Sequence, residues 1–239
     1  MKQLFFSIFL FVGLIHFTFG QSSVNHAEWQ TLLQKYVTKE GQVNYEGLKS
    51  EKSKISNYLM SLSKNVPKAT ASKEEKMSFW INAYNALTVK LIVDNLPVNS
   101  IKDINGGKPW DIKLFKSGND NYSLDDIENT ILRPMHDARV HFAINCAAKS
   151  CPPLTNEAFT AENLNTLLDK RTKQFVNDNL FNIITPDKIK ISHIFEWYQS
   201  DFGDVRTFIG KYIAPSKKIN SAAGISYFQY NWNLNATGI

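Results

Sequence analysis

The chain has 239 residues, 43% of them hydrophobic and 13% aromatic, with 27 Lys and Arg against 22 Asp and Glu for a formal net charge of +5. So mild a charge, with no dense basic run, argues against a nucleic-acid face; Lys73, Lys76 and Lys217-Lys218 are ordinary solvated positions. With no internal repeat, low-complexity stretch or linker, the length suits one compact domain with a substantial core.

Residues 1–20 are read as a secretory signal. Lys2 gives a short positive start, Leu4–Leu14 is apolar apart from Ser7 and Gly13, and Thr18 and Gly20 put small residues before a cut at Gln21. The apolar run falls short of the roughly 20 residues a spanning helix needs. No cysteine follows it, which argues against a lipoprotein anchor. The expectation is therefore a periplasmic or secreted protein, residues 21–239, without a stable membrane span. Removing Lys2 takes the net charge from +5 to +4.

Apolar residues at helical spacing predict a helix over Trp29–Tyr36, and a second amphipathic helix ends at Tyr58–Leu62 after the interruption at Gly41-Gln-Val-Asn-Tyr45. Ser72-Lys-Glu-Glu75 is a capping box opening a long helix to about Asn95, stopped by Pro97. Ser123-Leu-Asp-Asp126 opens a short helix ending near Arg133-Pro134. Arg139–Asn145 reads as a strand, because Val140, Phe142 and Ile144 alternate with Arg139, His141 and Ala143. A helix over Asn163–Val176, a hairpin over Ile183–Ile191 turning at Pro186-Asp187, short helices over Ser192–Tyr198 and Val205–Ile213, and a last strand at Ile225–Phe228 follow. The expected fold is α+β: one helix-rich domain with a small, mainly antiparallel sheet.

Two features could carry chemistry. The long helix is apolar nearly all round and so should be buried, yet Ser78, Asn82 and Asn85 fall within about 60° of one another at 100° per residue. A buried unpaired amide costs on the order of 1–3 kcal/mol. The stripe must therefore either clamp a neighbouring loop or wall a pocket. The second feature is His141-Phe-Ala-Ile-Asn-Cys146-Ala-Ala-Lys-Ser-Cys151-Pro-Pro-Leu154, which holds both cysteines of the chain and one of its five histidines. On a strand His141 and Asn145 would share a face and Cys146 would point away. Three readings fit the cysteines. A disulfide or inert thiols suits an oxidising compartment and an even count. A thiol nucleophile could use His141 as base. A metal site could be built from His136, His141, Cys146 and Cys151, which recur at intervals of five. The first is preferred, and no cofactor is expected.

Phe79-Trp-Ile-Asn-Ala-Tyr-Asn-Ala-Leu87, Ser123-Leu-Asp-Asp-Ile-Glu128, Leu132-Arg133 and His141-Phe-Ala through Cys151-Pro-Pro-Leu154 resemble, in this order, the domain-of-unknown-function-547 family over roughly residues 70–180. Val43-Asn-Tyr45, Phe195-Glu-Trp-Tyr198 and Tyr230–Asn235 are similar to its usual surroundings. The resemblance implies a globular domain of exported bacterial proteins, also appended to other modules in eukaryotes, with no established activity to carry over. Where members often have histidine after the Ile-Glu pair, this chain has Asn129, which would imply a weakened site if that histidine does chemistry. A buried helix followed by a histidine-bearing strand also resembles papain- and transglutaminase-like folds, but here the helix offers Asn82 or Asn85 where those carry the nucleophilic cysteine. The expected function is binding of a ligand or protein partner through a polar pocket that includes Asn82, Asn85 and Asn145. The alternative is a hydrolase or transferase with Cys146 or Cys151 as nucleophile and His141 as base.

Overall fold

The capping box at Ser72 opens the element around which the chain is built. In the computed structural model, which describes residues 24–214 and 217–237, Ser72 Oγ accepts the Glu75 N–H at 3.1 Å and Glu75 Oε2 accepts the Ser72 N–H at 2.8 Å. The expected signal segment, residues 1–20, lies outside the described residues. The chain begins with α1 (Ala27–Tyr36), α2 (Tyr45–Leu48) and α3 (Lys52–Lys64). The capped helix, α4, then runs Lys73–Asn95. From Met77 to Val93 every residue of α4 except Lys90 is buried, as its all-round apolar pattern requires. Helix α3 lies along α4 through Ile55, Tyr58, Leu59 and Leu62, and α1 covers α3 with Trp29 stacked on Tyr58 at 5.7 Å.

After α4 come short 3₁₀ turns and a small hairpin, β1 (Phe115–Ser117) and β2 (Asp120–Tyr122), turning through Gly118 at φ +59°. The second capping box also forms: Ser123 Oγ accepts the Asp126 N–H at 3.1 Å, and Asp126 Oδ2 accepts the Ser123 N–H at 2.6 Å. It opens a π-helix, Asp126–Leu132, rather than an α-helix, a form found frequently at functional sites.

Arg139–Asn145 is not a strand. Residues Ala138–Phe142 form a 3₁₀ helix whose cap, Asp137, accepts the Arg139 N–H. Val140, His141 and Phe142 are consecutively buried, so the segment has no solvent face for alternating side chains to define. The histidine-bearing strand behind the likeness to papain- and transglutaminase-like folds is therefore not formed.

Helix α5 (Leu164–Asn177) precedes a three-stranded sheet of β3 (Ile183–Ile184), β4 (Lys188–Ile191) and β5 (Gly224–Tyr227). Between β4 and β5 lie α6 (Ile194–Trp197), α7 (Gln199–Phe202) and α8 (Val205–Gly210). The β3–β4 pair is antiparallel, as its Pro186-Asp187 turn dictates, and β5 joins β4 in parallel. The architecture is α+β. No helix among the described residues is long and apolar enough to cross a membrane.

The buried apolar residues fall into two clusters. The larger surrounds α4, and the smaller gathers Phe142, Phe175, Phe195, Phe202 and Phe208. Segment 138–144 runs along their seam, sending Val140, Ala143 and Ile144 into the first and Phe142 into the second. After β5 the chain returns across the first cluster, with single bridges Ser100–Asn233, Ala148–Leu234 and Val43–Ala236. The tail thereby ties the loop after Cys146 to both ends of the α1–α4 layer.

Candidate functional site

The asparagine stripe clamps loops. Asn85 donates Nδ2–H to the Ala143 carbonyl at 2.9 Å and accepts the Asn145 N–H at 2.8 Å. Asn82 does the same to Phe159, at 2.7 Å to its carbonyl and 3.1 Å from its N–H. Asn145 donates to the Pro152 carbonyl at 2.8 Å and accepts the Ala147 N–H at 2.9 Å. A fourth buried amide, Asn235, contacts Asn145 Oδ1 at 3.4 Å while accepting the Tyr45 hydroxyl at 2.7 Å. Asn82, Asn85 and Asn145 are thus committed to backbone partners, and none of them lines the cavity described below.

What this lattice holds is the turn at Cys146. Ala147 sits at φ +60°, a left-handed conformation that a residue with a Cβ adopts only when its surroundings impose it. Here Asn145 takes its N–H and Asn235 donates to its carbonyl at 3.0 Å. The strained turn leaves Cys146 half-buried on a cavity wall, with Cys151 buried beside it.

Both cysteines are free thiols, so of the preferred reading, a disulfide or inert thiols, the disulfide is not formed. The Cys146 N–H donates to Cys151 Sγ at 2.8 Å, and Cys146 Sγ lies 3.3 Å from the Tyr230 hydroxyl. Burial works against ionisation of Cys146. Interactions with the Cys151 thiol, the Tyr230 hydroxyl and the Ala148 N–H outweigh it and lower its pKa, whereas burial and the neighbouring sulfur push Cys151 well up. The two sulfurs are therefore unequal: Cys146 ionises first. The four residues at intervals of five do not converge. His136 is exposed at the end of a 3₁₀ turn, and no metal-holding group of three His, Cys, Asp or Glu side chains occurs among the described residues.

His141 faces the same cavity from the 3₁₀ helix. Its Nε2–H points to Asp201 Oδ2 at 2.8 Å, and its ring stacks on Tyr198 with centroids 4.0 Å apart. Arg133 locks Asp201 with a fork, Nε at 2.6 Å and Nη2 at 2.9 Å, which helps hold that carboxyl well below the usual range. Burial brings the His141 pKa down to about 4 despite the carboxylate, so at neutral pH the ring is uncharged. With Nε2 donating to Asp201, Nδ1 carries a lone pair; it is buried and has no hydrogen-bond partner among the described residues.

The π-helix adds Glu128, also buried. Its carboxyl accepts the hydroxyls of Tyr84 at 3.2 Å and of Tyr198, yet burial still raises its pKa. Asn129 follows it at the mouth of the cavity, accepting from Arg133 at 2.8 Å and donating to Asp125 at 2.7 Å.

Together these groups line a cavity of about 330 Å³ at the seam of the two clusters. Its mouth is aromatic: Trp197 stacks on Trp232 at 5.9 Å and meets Tyr230 at a tilt, 4.7 Å away, and Trp232 meets Trp110 at 5.7 Å. Trp197 is 47% exposed, unusual for so large an apolar ring. Carboxylates come from Asp111, Asp125 and Glu128, and no lysine or arginine is among the lining residues. A larger cavity, about 510 Å³, opens beside Val24–Ala27 and Glu75–Phe79, where the Nδ1 of His26 already takes the Tyr58 hydroxyl at 2.7 Å. The smaller cavity concentrates the reactive groups.

Glu128, Asp201, Tyr198, Tyr230 and the tryptophans were not singled out from the sequence as site residues. The signal was present, since Ile127-Glu128, Phe195–Tyr198 and Tyr230–Asn235 are pieces of the family resemblance, and they form the floor and mouth of this cavity.

Comparison with curated proteins finds no match, and neither does comparison with solved structures. Residues 68–176 match the model of a family described as "Protein of unknown function, DUF547". That span runs from the start of α4 almost to the end of α5 and contains Glu128, His141, Cys146 and Cys151. Trp197, Tyr198 and Tyr230 complete the cavity from beyond it, as does Asp201 indirectly by holding His141. The match over residues 68–176 supports assignment of this segment to the DUF547 family.

Proposed function

We propose that the chain binds a flat-faced, non-anionic small molecule rich in hydrogen-bond donors in the cavity over Cys146 and His141. The observation that carries this reading is the pairing of an exposed aromatic mouth with a buried, unpartnered acceptor, the Nδ1 of His141. Aromatic faces gain from a flat partner. An unpaired buried acceptor gains from a donor that reaches it, and carboxylates without a lining cation select against anions. At about 330 Å³ the cavity lies at the small end of the range for small-molecule sites. Neutral saccharides and aromatic amines share the required chemistry.

The test is a titration of intrinsic tryptophan fluorescence with neutral sugars, aromatic amines and matched aromatic carboxylates. Saturable changes are expected with one of the first two classes and not with the carboxylates. Trp197→Ala is expected to weaken binding by roughly 3–10-fold, the equivalent of one aromatic contact. Equal binding of the carboxylates, or an unchanged affinity in Trp197→Ala, would remove the proposal.

The reading includes export, supported by the short apolar run and the small residues at 18 and 20. The mature protein is expected to begin within two residues of Gln21, as read by intact mass of material recovered from periplasm or medium. Full-length chain held in the inner membrane would contradict it.

A further inference from the structure

A cavity that only binds has no need of a sulfur held on a strained turn. Three buried amides, Asn85, Asn145 and Asn235, lock the backbone around Ala147 at φ +60°, and the result is to present Cys146 to the cavity that His141 also lines. Strain that the surroundings over-determine tends to gather at functional positions. An imidazole with one nitrogen fixed by a carboxylate and the other free is the arrangement that moves protons for a nucleophile.

We propose that Cys146 is a nucleophile that takes an acyl group from an ester or amide held in this cavity, with His141 moving the proton. The inference rests on the cavity being the binding site. Cys146 gives up its S–H proton to Nδ1 of His141 through a water molecule of the cavity, since that nitrogen has no direct partner among the described residues, and its sulfur attacks the carbonyl carbon. The new C–S bond forms as the bond to the leaving oxygen or nitrogen breaks. The leaving group departs with the proton from the imidazolium, which Asp201 and Arg133 hold in place, and His141 returns to neutral. Water then attacks the thioester, giving a proton to His141 as the C–S bond breaks; that proton returns to the sulfur, and the acid is released.

Cys151 has a different part. It is 5% exposed, its sulfur accepts the Cys146 N–H, and its S–H points to the Ile144 carbonyl at 4.0 Å. The other titratable groups around that sulfur are Tyr230 in contact, Glu128, Tyr84 and Tyr198 across the cavity, His141 on its wall and Tyr45 behind the turn. Tyr230 stabilises the thiolate directly, whereas the Glu128 charge opposes it.

The experiment is alkylation of the full mature chain by iodoacetamide between pH 5 and 9, mapped to each cysteine, followed by a single turnover with p-nitrophenyl acetate. Cys146 is expected to react with an inflection below the roughly 8.5 of free cysteine while Cys151 resists. Tyr230→Phe should move the inflection upward, a change that a merely structural thiol would not show. The ester should leave an acetyl group on Cys146, forming at least 10-fold more slowly in His141→Gln with fold confirmed by circular dichroism. Equal reactivity of both sulfurs, no alkylation until a reductant is added, or acetylation elsewhere would each overturn the proposal. Fluorescence titration of Cys146→Ser separates the two readings. Binding without thiol reactivity in the native chain sinks only the nucleophile, and a reactive Cys146 without saturable binding sinks the cavity reading.

Discussion

Asn85→Leu is expected to destabilise the protein by about 3 kcal/mol, read as a shift in denaturant midpoint at constant m. The side chain is 2% exposed and pairs with two buried backbone groups, the Ala143 carbonyl and the Asn145 N–H. Leucine is close in volume, so packing changes little, but both backbone groups lose their partner in a place water does not reach. Each orphaned group costs about 1–3 kcal/mol, offset in part by the apolar surface leucine buries. Thr88→Val, one turn further along α4, is the control. Thr88 is 1% exposed and its Oγ1 has no partner among the described residues, so removing the hydroxyl is expected to be neutral or slightly stabilising. A neutral Asn85→Leu alongside a destabilising Thr88→Val would reverse the assignment of which polar group on this helix is held.

The contrast between these two residues shows what was legible in the sequence. The capping boxes at Ser72 and Ser123 form, because their side-chain-to-backbone bonds span three residues and depend on nothing distant. The buried character of α4 follows from its composition, and the need of its amides for partners follows from the cost of leaving them unpaired. The sequence allows either a loop clamp or a pocket wall as their partners, and the distance from Asn85 to Asn145 is long-range information. The Arg139–Asn145 segment shows the limit from the other side. Six residues of alternation match a strand, but Asp137 caps a 3₁₀ turn, and both flanks are covered because two clusters meet there.

The same limit governs the site. His141, Cys146 and Cys151 stand out because reactive residue types crowd within 11 positions, and all three line one cavity. Asp201 lies 60 residues from the histidine it orients, and Tyr230 lies 84 from the sulfur it touches. Asp201 has no local pattern to mark it, and Tyr230 is marked only as part of the Tyr230–Asn235 piece of the family resemblance. The expectation of a disulfide or inert thiols rests on compartment and count alone. It does not include the geometry that gives Cys151 the Cys146 N–H and leaves Cys146 facing a cavity.

Acidification is expected to weaken the protein before its paired carboxylates begin to protonate. His141 is 3% exposed and its pKa falls from 6.5 to about 4 on folding, chiefly through burial. A histidine depressed in this direction contributes stability that is present above 6.5 and is lost as the pH falls toward 4, because the unfolded chain takes up a proton that the native chain refuses. A shift of this size corresponds to about 3 kcal/mol for His141. His26, also brought down to about 4 mainly by burial, acts in the same window. Glu128 acts in the opposite direction: its raised pKa favours the native state as the pH falls, and offsets part of the loss. Asp201, lowered by Arg133 and His141, contributes in full above its ordinary 3.8 and loses that contribution progressively below it, outside this window. The net expectation is a falling denaturant midpoint between pH 6.5 and 4, with His141→Gln showing a shallower fall than the native chain. Imidazole signals followed by NMR provide a second reading that does not depend on the variant folding. The His141 ring should show no titration above pH 5. A midpoint inflecting near 6.5 in His141 signals of the native protein would mean that the ring is solvated, that its Asp201 pair is not formed, and that the proton-moving role assigned to it has no structural basis.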